Sequence, residues 1–108
     1  MVEISYKAPF LDMLRDVKYE RSSTARRTIL TEIADDVGID AENCGTRNNV
    51  LASIASIARI ASYASSSSGR YRSYIGQLSV MFESLDDDDV ECEVDESSPL
   101  ARYSKFRR

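Results

Sequence analysis

Apolar residues fall at helical spacing in four separate stretches of the chain. Phe10, Met13, Leu14 and Val17 follow an i, i+3, i+4, i+7 pattern, and Pro9 before them suits the first turn of a helix. The spacing predicts a first helix over about 8–19. Ile29, Leu30, Ile33, Ala34 and Val37 form a second stripe, with Ser22, Ser23 or Thr24 available as its cap. Gly38 is placed to end this helix in a left-handed conformation, and Ile39 to make the apolar contact beyond it. The expected second helix therefore covers about 24–37, with residues 40–46 as a connector holding at most one helical turn.

The third stretch, NNVLASIASIARIASYASSSS, repeats a small-small-large triplet, with Ile54, Ile57, Ile60 and Tyr63 at every third position. At ~100° per residue, a period of three drifts back by ~60° at each step, so these side chains wind around a helix rather than stack on one line. A strand is excluded, because a period of three matches neither face of a pleat. Val50, Leu51, Ala58 and Ala61 fill the same half as the isoleucines, and Ser56, Arg59 and Tyr63 the other, with Ile60 at the margin. The pattern predicts a broad apolar face covered by more than one neighbour, the central helix of a bundle. Its Ala and Ser residues would let adjacent backbones approach closely. Part of the face packing against another subunit is the alternative use.

SSSSGR makes a poor helix interior and a good turn. Beyond it, Tyr71, Tyr74, Ile75, Leu78, Met81, Phe82 and Leu85 share one side of a fourth helix, about 70–85. Four consecutive aspartates are expected to end it, because negative charge is unfavourable at a helix C-terminus. Val2, Ile4 and Tyr6 alternate weakly as in a strand. Val90, Cys92 and Val94 alternate too, either as a strand that pairs with residues 2–6 or as a merely extended segment. The fold expected is mainly α, a small bundle of three to four helices with short extended or irregular termini.

Composition narrows the picture. The 108 residues, 43 % of them hydrophobic, suit one small domain with its own core. Charge divides the chain: residues 1–82 hold ten bases and nine acids, residues 83–96 nine acids and no base, residues 97–108 four bases and no acid. The expected organisation is a helical bundle domain over 1–85, then an acidic segment and a basic tail over 86–108. The start lacks a basic region followed by an apolar run, and no apolar run approaches the ~18 residues of a membrane span. The expected location is the cytoplasm, or a virion should the source be a virus.

Little in the chain points to catalysis. There is no His, so zinc sites of the common Cys/His kinds are excluded, and Cys44 and Cys92 are expected as two reduced thiols. No Ser or Cys has a His to activate it, and the four glycines are isolated, so no phosphate loop exists. Asp12 and Asp16, one turn apart, read as surface charge rather than as metal ligands. No catalytic residue, metal or cofactor is expected, and the chain reads as a non-enzyme.

Two binding features remain. In the tail SSPLARYSKFRR, Leu100, Tyr103 and Phe106 fall on one face of a short helix, with Arg102, Lys105, Arg107 and Arg108 around it. This tail is a solvated extension, a partner to the acidic block, or a docking segment for a protein or a second copy of the chain. The other feature is Ala34 followed four residues later by Gly38, a spacing of helix-turn-helix DNA readers. On that reading residues 24–49 bind DNA, with Arg26, Arg27, Arg47 and Asn48 as contacts. The leading expectation is a small interaction or assembly protein, such as an adaptor, an inhibitor or a structural subunit, phage and viral ones included, that engages a protein partner or itself. That comparison is one of size and of missing chemistry. DNA regulation is the alternative.

Overall fold

Four helices pack side to side, and a two-stranded ribbon pairs residues 2–5 with 91–94 in a computed structural model that describes residues 2–5, 7–43, 49–85 and 91–94. In chain order these are β1 (Val2–Ser5), α1 (Lys7–Tyr19), α2 (Ser23–Asn43), α3 (Asn49–Tyr63), α4 (Gly69–Glu83) and β2 (Glu91–Val94). The mainly α bundle is the architecture that the four apolar patterns predict. Among the described residues no helix is long and apolar enough to cross a membrane.

α1 buries Phe10, Met13, Leu14 and Val17, the stripe read from its spacing. Ser22 is the residue that caps α2. Its Oγ accepts from the Ala25 backbone N–H at 3.3 Å, and its carbonyl accepts from the Arg26 N–H at 3.0 Å. Leu30, Ile33, Ala34 and Val37 are fully buried along α2. α4 opens on Ser68, whose Oγ accepts from the Tyr71 N–H at 3.1 Å and donates to the Ser65 carbonyl at 2.8 Å. Tyr71, Ile75, Leu78, Phe82 and Leu85 are buried, with Tyr74 and Met81 half-buried beside them. Burial of each large side chain contributes about 1.5–3 kcal/mol, well above the few tenths that β-branched residues cost a helix.

Contacts between helices run in a ring. α1 packs on α2 and α4, and α3 packs on the same two, with α2 and α3 in the most extensive contact. Ala34 of α2 and Ala58 of α3 are both fully buried. Arg59 of α3 donates to Asp35 of α2 at 2.9 Å at the margin of the α2–α3 contact. The ribbon is antiparallel, with Val2 opposite Val94 and Ile4 opposite Cys92, the first of the two alternatives left open for the alternating segments.

Several expectations need correction. Gly38 does not end α2. The helix runs on to Asn43, Gly38 has no left-handed φ, and Ile39 is 53 % exposed rather than packed. A helical glycine costs about 1 kcal/mol, and the following Ile39, Asp40, Ala41 and Glu42 include no proline to force a stop. α3 is not a central helix, because every helix in the ring has two neighbours. α4 ends at Glu83 with Ser84 as its cap, ahead of the aspartate run. Asp12 is not surface charge: it is 7 % exposed, with Arg15 at 3.4 Å.

Candidate functional site

The isoleucine triplets show how α3 divides. Leu51, Ile54, Ala58, Ala61 and Ser62 are buried, Ile57 is half-buried, Ile60 is 51 % exposed and Tyr63 is 76 % exposed. This is the progressive ~60° drift of a three-residue period. The buried set centres between Ile54 and Ala58, which places Ile60 roughly 150° away at 100° per residue. Ile60 is therefore on the outer half of α3 and not at the margin. Ala52, Ser53, Ser56 and Arg59 are exposed with it. Small residues occupy the first half of this outer face, and Arg59, Ile60 and Tyr63 the second. Ala55, Ser56, Arg59, Ile60 and Tyr63 line a shallow depression of about 440 Å³.

A second concavity lies at one end of the bundle. The first turns of α2, the end of α3, the α3–α4 turn and Tyr71 of α4 surround a cleft of about 410 Å³. Its polar lining comes from Ser23, Arg26, Arg27, Ser62, Ser65, Ser66 and the two tyrosines Tyr63 and Tyr71, without one acidic residue. The first turn of α4 carries no acid, and at α2 the nearest one, Glu20, accepts from the Ser22 N–H at 3.0 Å just ahead of the helix.

Two groups in this lining stand out. Arg26 is half-buried and held by an Nη2 donation to the Arg21 carbonyl at 2.9 Å, while its Nε is buried with no hydrogen-bond partner. Tyr71 is 7 % exposed, and its hydroxyl is likewise buried with no hydrogen-bond partner. Each such group costs on the order of 1–3 kcal/mol relative to a satisfied one. Ser62 is already committed, since its hydroxyl donates to the Arg59 carbonyl at 2.6 Å. The cleft is thus cationic, donor-rich and suited to an anion. Among the described residues, no group of three or more Cys, Asp or Glu comes together as a metal site would require.

Of the residues picked out by sequence for DNA contact, Arg26 and Arg27 share this cleft, whereas Arg47 and Asn48 lie outside the described residues. The turn which that reading placed at Gly38 is continuous helix. The tail residues Leu100, Arg102, Tyr103, Lys105, Phe106, Arg107 and Arg108 also lie outside the described residues, as does Cys44. Tyr71 and the serines of the α3–α4 turn were legible only as core and turn. The one available signal was a tyrosine on a core stripe, whose hydroxyl needs a partner.

No family model matches the chain, and no curated protein or solved structure is significantly similar to it.

Proposed function

We propose that this chain is a non-enzymatic interaction and assembly module that pairs with a second copy of itself through the outer face of α3. The observation that carries the reading is the position of Ile60, half exposed beside the exposed Tyr63 while Leu51 and Ile54 of the same helix are buried. Two such faces complement one another when they meet antiparallel about Ser56. Ile60 of one copy then falls over Ala52 of the other, and Tyr63 falls over the start of α3. Ile60 thus meets Ala52 and Arg59 meets Ser53, and the two-fold axis repeats both pairs. The interface core would carry no unpaired charge, because Arg59 is engaged by Asp35 within its own chain.

The C-terminal tail offers a second contact in this proposal. Leu100, Tyr103 and Phe106 with their flanking bases retain the composition of a docking segment. Removal of residues 97–108 would then leave helical content intact and weaken association without abolishing it.

Light scattering across a range of protein concentrations tests the main reading. The wild-type chain should give twice the chain mass, and Ile60→Asp should give the monomer with an unchanged helical circular dichroism spectrum. A wild-type chain that stays monomeric at every concentration rules out self-association.

A further inference from the structure

We infer that the cleft between the α2 N-terminus and the α3–α4 turn is a binding site for a phosphoryl group, carried by a small phosphomonoester or by the free ion. The inference does not rest on self-association; the two surfaces share only Tyr63, which borders both. Arg26 and Arg27 bring two guanidinium groups to a concavity without an acid in its lining. Tyr71 and Arg26 both line this cleft, and the Tyr71 hydroxyl and the Arg26 Nε are each buried with no hydrogen-bond partner. A group that accepts from both would satisfy what the fold leaves unsatisfied.

The choice of phosphoryl over carboxylate follows from the spread of the lining donors over several elements. They come from three elements: Arg26, Arg27 and Ser23 from α2, Ser65 and Ser66 from the turn, and Tyr71 from α4. A planar carboxylate offers two oxygens to one side. A tetrahedral dianion offers three or four oxygens around a centre and matches guanidinium forks and a helix N-terminus together. The volume of about 410 Å³ lies in the range of small-molecule sites. Duplex DNA is the less suitable occupant, because a recessed tyrosine hydroxyl is out of reach of phosphates on a broad, convex ridge.

Isothermal titration calorimetry of the full chain tests this, with inorganic phosphate and glycerol 3-phosphate as ligands and acetate and duplex DNA as comparisons. Both phosphates should bind saturably at one per chain. Tighter binding of glycerol 3-phosphate assigns the site to the ester, and equal binding assigns it to the free ion; either supports the phosphoryl site. Arg27→Gln removes an exposed cation and should weaken binding about tenfold or more. Tyr71→Phe should weaken it about fivefold, yet leave the melting temperature without ligand unchanged or higher, because no existing hydrogen bond is lost. Four results would each overturn the inference: no saturable phosphate binding at millimolar concentration, unchanged affinity in both variants, equal binding of acetate, or DNA binding that phosphate does not displace.

Discussion

The rings of Phe10 and Phe82 stack with their centroids 5.1 Å apart and their planes 29° from parallel, joining the first helix to the last. Both residues are fully buried. The stack closes the ring of helices, so the bundle depends on a contact between residues far apart in sequence. Phe82→Ala removes one ring and leaves a cavity, at a cost of about 3–5 kcal/mol, whereas Phe82→Leu should cost clearly less because it keeps most of the volume. Urea denaturation followed by circular dichroism gives both values. Equal and small losses in the two variants would mean that the stack contributes little.

Gly38 gives a test with opposite signs for two structures. Within a continuous α2, a Cβ at position 38 meets nothing within 4 Å, and the residue is exposed. Gly38→Ala should then stabilise the protein by about 0.5–1 kcal/mol through helix propensity and a less flexible unfolded chain. If Gly38 instead formed a left-handed turn, as the helix-turn-helix spacing suggests, the same substitution would be destabilising. Thermal denaturation of the single variant decides between them.

Arg59 and Asp35 form an ion pair between α3 and α2, each side chain about half exposed at 55 % and 51 %. Exposed pairs of this kind contribute about 0.2–1 kcal/mol and weaken with salt. A double-mutant cycle with Arg59→Ala and Asp35→Ala should give a coupling energy within that range at low ionic strength and near zero at molar salt. A coupling well above 1 kcal/mol would show that the pair does more than trim the margin of the α2–α3 contact.

The helical cores of all four elements were legible in the sequence because burial imposes a period near 3.6. Phe10 to Val17, Ile29 to Val37 and Tyr71 to Leu85 show it directly. The β1–β2 pairing was only one of two alternatives, because the alternation of Val2 and Ile4 and of Cys92 and Val94 spans too few residues to choose a strand over an extended segment. Gly38 misled because glycine is compatible with both a helix interior and a left-handed stop, and the local sequence does not decide between them. Ile60 misled for a different reason. Phasing α3 on its isoleucines puts Ile60 at the edge of the core, whereas phasing on Leu51, Ala58, Ala61 and Ser62 turns it outward. Of the cleft only Arg26 and Arg27 were legible, as DNA contacts, because they meet Ser66 and Tyr71 only through packing of three separate elements.

Pairing of two copies through the outer face of α3 can be read directly from cross-links. A photoreactive benzophenone side chain in place of Tyr63 keeps an aromatic group at the exposed end of α3 and reports its neighbours by mass spectrometry. Antiparallel pairing about Ser56 predicts cross-linked dimers with the link at residues 49–53 of the second copy. Cross-links confined to one chain, or to residues 97–108 of a second copy, would contradict pairing through α3.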